Sequence, residues 1–138
     1  MPPVFVLDSS AVLAFLYGER GRDRIEQLLL EAAAGRATVR LHRIHLGEVY
    51  YVFYRKAGGR TAEAMLDDVR QLPVKVEDRV SPALMREAGR IKASYRVSYA
   101  DAFAAGLARV RNGILVSADR VEFGPVESAA ELSVLWVR

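Results

Sequence analysis

Apolar residues in this chain fall into two kinds of pattern, and the two alternate. Val4, Phe5, Val6 and Leu7 form an unbroken apolar run rich in β-formers. Such a run suits a strand covered on both faces of a parallel sheet. Ser9 and Ser10 follow as good helix N-caps, and apolar helix formers continue to Tyr17, stopping near Gly18. From Arg22 to Ala34, the residues Ile25, Leu28, Leu29 and Ala32 share one helical face, with Gly35 placed as a C-terminal cap. Thr38 to His42 alternates, with Val39 and Leu41 on one side, and predicts a second strand.

The same alternation continues to the end. Ile44 to Lys56 predicts a helix that ends at Gly58-Gly59, with Leu46, Val49, Tyr50 and Phe53 in one stripe and Tyr51 and Tyr54 beside it. Thr61 to Leu72 predicts another helix, stopped by Pro73, and Val74 to Val76 a short third strand. Ser81-Pro82 opens a helix that carries Leu84, Met85, Ala88 and Ile91 to about Tyr95. Ser98 opens the next, to about Arg111, and Ile114 to Val116 forms a fourth strand leading into Ser117-Ala118-Asp119. Phe123-Gly124-Pro125 reads as a loop, and Val134 to Val137 as a last, marginal strand. Strands alternating with helices or helix pairs predict a parallel sheet covered on both faces.

Composition narrows the class. The chain has 138 residues, 51% hydrophobic and 27% charged. That suits one globular domain, expected over 1–138, with a real core. No apolar run approaches the ~20 residues of a membrane helix. Met1-Pro2-Pro3 puts no basic region before the first apolar run, so a signal peptide is not expected and the cytoplasm is the expected location. There is no cysteine, which removes disulfides and thiolate metal sites. The net charge of +3 is mildly basic and compatible with a nucleic-acid partner.

The chemistry lies in carboxylates. Asp8 follows the first strand and Asp119 the fourth, while Glu48 and Asp101 fall in early turns of the helices after strand two and before strand four. Helices in such an alternation begin on the edge where strands end, the edge at which open α/β sheets bind ligands. All four acids are therefore expected together. Nearby carboxylates repel unless protons or a metal neutralise them. With oxygen ligands only, Mg²⁺ or Mn²⁺ is the expected ion. Singly, each has a plainer role: Asp101 stands three after Ser98 as in a capping box, Glu48 favours an early helical turn, and Asp119 can cap a short turn. Asp8, a charge ending an apolar strand, is harder to dismiss, and the coincidence of four favours a site.

These stretches resemble the PIN-domain ribonucleases, and specifically the VapC-type toxins. The resemblance spans the chain and rests on Val-Leu-Asp-Ser-Ser at 6–10, His-Leu-Gly-Glu-Val-Tyr-Tyr at 45–51, Ser-Tyr-Ala-Asp-Ala-Phe-Ala-Ala-Gly-Leu-Ala at 98–108 and Leu-Val-Ser-Ala-Asp at 115–119. It implies a three-layer α/β/α sandwich with a central parallel sheet, and a Mg²⁺- or Mn²⁺-dependent endoribonuclease. By resemblance Asp8, Glu48, Asp101 and Asp119 are the acidic quartet, and Ser9 and Ser117 the hydroxyls beside the first and last aspartates. A metal held by Asp8, Asp101 and Asp119 would activate a water and clamp a phosphate oxygen, with Glu48 completing the shell through water or orienting the nucleophile. The family pattern carries an acid and a Phe closer behind the fourth aspartate. Arg120-Val121-Glu122-Phe123 is one residue longer, which leaves the part of Glu122 as an extra ligand open. The resemblance also implies a homodimer and an antitoxin protein laid into a groove, and Tyr17, Tyr51 and Tyr54 exceed one buried stripe, as a partner surface would require.

Other readings compete. A haloacid-dehalogenase phosphatase needs a second Asp two residues after the first, where this chain has Ser10, and no Gly-x-Gly-x-x-Gly follows strand one for a dinucleotide. The serious alternative is a non-catalytic PIN-like module that binds RNA or protein. His42 and His45 are expected to cap or to lie at the surface rather than to bind metal. Arg40, Arg43, Arg55, Lys56, Arg60, Arg96 and Arg120 are expected to flank the acids, as RNA-backbone contacts or as a mixed-charge surface.

Overall fold

The computed structural model describes all 138 residues. Its elements run β1 (Val4–Leu7), α1 (Ser9–Leu16), α2 (Arg22–Ala33), β2 (Thr38–His42), α3 (Arg43–Ala57), α4 (Gly59–Arg70), β3 (Lys75–Glu77), α5 (Pro82–Ser94), α6 (Tyr99–Val110), β4 (Ile114–Ser117), α7 (Arg120–Ser128) and β5 (Val134–Trp136). The strands form one sheet in the order β3-β2-β1-β4-β5. Every pairing is parallel. Leu7 stands level with Leu41 on one side and Val116 on the other, so all strands end on the same edge.

The pleat divides the core in two. Leu7, Val39, Leu41 and Val116 face α1 to α4, packing on Val12, Ile25, Leu29, Val49 and Met65. Val6 and Leu115 face the other way, onto Leu84, Ile91 and Leu107, with Phe123 and Val126 of α7. Helices on both faces of a parallel sheet make the three-layer sandwich that the pattern predicts. Between α5 and α6 the approach is close because α6 presents only small residues there. A Cβ on Gly106 would lie 3.1 Å from the backbone nitrogen of Ala88.

Two local expectations fail. The N-cap of α1 is Asp8 itself, not either serine: its backbone is extended and its side chain accepts from Ala11 N. A carboxylate in an N-cap satisfies free amides and lies in the positive end of the helix dipole. The segment around Phe123-Gly124-Pro125 is not a loop but the middle of α7, with Pro125 inside the helix. Proline removes one hydrogen bond and crowds the Val121 carbonyl, yet burying Phe123 and Val126 completely outweighs that local cost.

Candidate active site

Asp8 is carried by the end of β1 and is 1% exposed. Its Oδ1 accepts from Ala11 N at 2.9 Å and from the Ser10 hydroxyl at 2.7 Å; Oδ2 accepts from the Ser117 hydroxyl at 2.5 Å. Burial pushes its pKa up to about 6, the neighbouring Asp119 charge adds to that, and the three hydrogen bonds oppose it. The two serines tie this carboxylate to the next loop: Ser117 Oγ accepts from Asp119 N at 2.9 Å, and Ser10 Oγ from Ala118 N at 2.9 Å. The β1 and β4 ends are thus one hydrogen-bonded unit. The hydroxyl that reaches Asp8 from α1 is that of Ser10, while Ser9 neighbours Glu48.

Asp101 sits in the first turn of α6, whose cap Ser98 accepts from Asp101 N at 3.1 Å. Its carboxyl is pushed up to about 6, first by burial and then by the charges of Asp8, Glu122 and Asp119, against the pull of the Ser98 hydroxyl. Glu48, on α3, is also raised, first by burial and then by Asp101, with Ser9 opposing. Its Oε1 is buried with no hydrogen-bond partner. The closest grouping is Asp101, Asp119 and Glu122, each offering an oxygen within 4.8 Å of the others. Glu122 Oε2 is likewise buried and unpartnered. No arginine, lysine or histidine forms an ion pair with any of these five acids. Hard oxygen donors, uncompensated charge and orphaned buried oxygens are what a divalent cation satisfies, so the residues fit one.

The sequence matches the PIN domain family over residues 5–124. The chain belongs to the PIN-domain family. No curated protein matches it. Among solved structures, this PIN domain is similar to VapBC2 from Rickettsia felis bound to a promoter DNA fragment, at 18% identity and TM-score 0.76 over 96% of this chain and 97% of that one. It is similar to DNA-bound VapBC from Salmonella typhimurium, at 19% identity and TM-score 0.75 over 100% of both chains. A third is VapC20 of Mycobacterium tuberculosis, a sarcin–ricin loop cleaving toxin, at 21% identity and TM-score 0.63 over 88% of this chain and 94% of that one. At such identities the likeness is one of fold.

Two residues beyond the expected quartet shape this PIN domain's acid pocket. Glu122 enters it because Asp119 is the N-cap of α7, accepting from Glu122 N at 3.0 Å, which folds the third helical residue back over the cap. Asp-Arg-Val-Glu has the spacing of a capping box, a signal for that place beside the family pattern of an acid behind the fourth aspartate. His45 is fully buried, and its Nε2–H donates to the Ala100 carbonyl at 2.7 Å, tethering the helix of Glu48 to the first turn of α6. Burial holds its pKa below the usual imidazole range, with His42 adding to this and the Ala100 bond opposing. His42 does cap α3, accepting from Ile44 N at 3.1 Å, but it too is buried rather than at the surface.

The basic residues expected around the acids are mostly engaged elsewhere. Arg40 pairs with Glu77, and Arg43 with Asp78. Arg55 lies over Tyr51 and Lys56 over Tyr17. Arg120 directly follows Asp119.

Proposed function

We propose that this PIN domain is a metal-dependent endoribonuclease and the toxin of a toxin–antitoxin pair. The observation that carries the reading is the meeting of Asp101, Asp119 and Glu122 within 4.8 Å, unpaired with any cation and backed by Asp8 and Glu48. Asp101, Asp119 and Glu122 hold Mg²⁺ or Mn²⁺. When bound, such an ion lowers the pKa of a water and offsets charge on the phosphate under attack. Asp8 leaves little of its carboxylate free, since three donors occupy it. Its part is to fix Asp119 through Ser117 and to add negative charge. Glu48, with a free oxygen and a raised pKa, accepts the proton of the attacking water, which a carboxylate of ordinary pKa does less well. Attack on phosphorus in line with the leaving oxygen then breaks the phosphodiester.

The partners proposed are RNA as substrate, a second copy of the chain and an antitoxin, in line with the antitoxin complexes among the similar structures. No helix is long and apolar enough to cross a membrane, and the proposed location is the cytoplasm. The test is cleavage of single-stranded RNA with Mg²⁺ or Mn²⁺ and in excess chelator. Cleavage requires the metal, and Asp101→Asn abolishes it with the circular dichroism spectrum unchanged. Full activity in chelator refutes the proposal. RNA binding with no cleavage under any metal makes the protein a non-catalytic binding module instead.

A further inference from the structure

Beside the acid pocket, at the carboxyl end of β5, lies a cleft of about 550 Å³. Its walls carry Arg20, Arg24, Arg120 and Arg138 against one acid, Asp23, and they surround Trp136. Arg120 in its wall directly follows Asp119, and the strands that carry the two sites are bonded to each other. Val137 N donates to the Ser117 carbonyl at 3.0 Å, and Ser117 is the residue that holds Asp8. The opposite wall is pressed in close: Gly21 has φ +98°, and a Cβ there would sit 2.3 Å from the Val137 carbonyl oxygen.

The groups in the cleft are set in place by the protein itself. The Arg120 guanidinium lies 4.7 Å from the centre of the Trp136 ring, and its Nε donates to the Arg138 carbonyl at 3.1 Å. The Trp136 indole N–H is held by the Glu127 carboxylate at 3.1 Å. Arg24 donates to the Trp136 carbonyl at 2.8 Å. Arg20 is exposed and forms no ion pair, and Arg138 reaches Glu19 only at 3.6 Å. Most of these N–H donors are therefore open to a ligand.

A pocket of five acids repels a polyanion, so a nucleic acid reaches it only if cations nearby hold the flanking phosphates. Arg40 and Arg43 are neutralised by their acidic partners, whereas this cleft is both positive and adjacent. A positive groove with an aromatic ring is the recurrent form of a single-stranded nucleic-acid site, with guanidinium forks on phosphates and a ring face for a base. We infer that the Arg20–Arg24–Arg120–Arg138 cleft binds the single-stranded RNA next to the scissile phosphate, with Trp136 against a nucleotide. This rests on the nuclease reading for its substrate, but its test is separable.

Trp136 is the only tryptophan, so indole fluorescence reports this cleft alone. Asp101→Asn protein in Mg²⁺ is titrated with a short mixed-sequence single-stranded RNA. The emission of Trp136 changes and saturates along with the anisotropy of labelled RNA. Adding Arg20→Ala and Arg120→Ala weakens binding several-fold and flattens the slope of log affinity on log salt by about 0.7 for each phosphate no longer neutralised. Arg20→Ala alone breaks no ion pair within the protein, and its smaller loss guards against misfolding in the double variant. RNA that binds with Trp136 emission unchanged, or with affinity and salt slope untouched by both variants, overturns the inference. Wild-type protein that binds through Trp136 yet never cuts in any metal upholds the cleft and overturns the nuclease reading.

Discussion

Replacing Asp101 by asparagine should make the metal-free protein more stable at neutral pH while destroying its activity. Asp8 and Asp101 are both pushed up to about 6 from an ordinary 3.8. A carboxylate whose folded pKa is raised costs stability once ionised. The cost is absent below the unfolded value, grows as pH climbs towards the folded one, and is complete above it. At about 1.4 kcal/mol per pKa unit, a two-unit shift is worth roughly 3 kcal/mol for the wholly buried Asp8. Asp101 is partly open to water, and screening reduces its share to about 1–2 kcal/mol. The asparagine gives up a negative charge in the first turn of α6, worth about 0.5 kcal/mol. The net expected gain at pH 7 is about 1 kcal/mol, or roughly 4 °C in Tm for a domain of this size.

The assay is thermal melting of wild type and Asp101→Asn from about pH 4 to pH 7.5, with and without Mg²⁺, against a control of matched ionic strength. The gap in Tm should be widest above pH 6 and close near pH 4, where the wild-type acids are protonated. Mg²⁺ binds only the folded state, so wild-type Tm rises with its concentration. The variant has lost a proposed ligand and responds less, and the gap narrows or inverts. If metal-free Asp101→Asn melts below wild type at pH 7 and both respond alike to Mg²⁺, the acids do not act as one pocket. Asp101 is then a helix-start residue, and the nuclease proposal loses its physical basis.

Ser117→Ala removes the 2.5 Å bond to Asp8 and the acceptor of Asp119 N in a buried position. It should cost about 2 kcal/mol in urea denaturation and reduce cleavage, and an unmoved midpoint refutes the role given to it. Tyr17, Tyr51 and Tyr54 are 38%, 48% and 56% exposed, and Tyr17 stacks on Phe53 at 4.9 Å. At least one should become protected in hydrogen exchange when the antitoxin or a second copy binds. A protein that is monomeric by mass, with all three segments unprotected by antitoxin, refutes this.

The sheet was legible because its central strands had to be apolar on both faces, and α5 and α6 announced their starts. Val4 to Leu7 and Ile114 to Val116 admit little else, and Ser81-Pro82 and Ser98 both cap the helices expected of them. What misled was local chemistry overruled at a distance. Gly124-Pro125 reads as a break, and nothing nearby in sequence shows that Phe123 and Val126 meet Leu115 and Val6 across the core. Ser9-Ser10 reads as a cap, but a better acceptor one residue earlier takes that place and leaves the serine hydroxyls for other partners.

The place of Asp8 at the head of α1 explains how the pocket is built. Had a serine capped α1, Asp8 would stand at the strand end as a free carboxylate, one acid among several. Because Asp8 is the cap, its charge is fixed by the helix amide and Ser10 on one oxygen and by Ser117 on the other. Those serines in turn orient the backbone that delivers Asp119, and the α7 cap that Asp119 forms delivers Glu122. Each carboxylate thus places the next, from β1 to β4 to α7, through bonds that use backbone amides rather than cations. Such a chain gathers negative charge without neutralising it. The unpartnered oxygens of Glu122 at its end, and of Glu48 on α3, are where the charge stays unanswered, and there the proposed divalent ion would relieve it most.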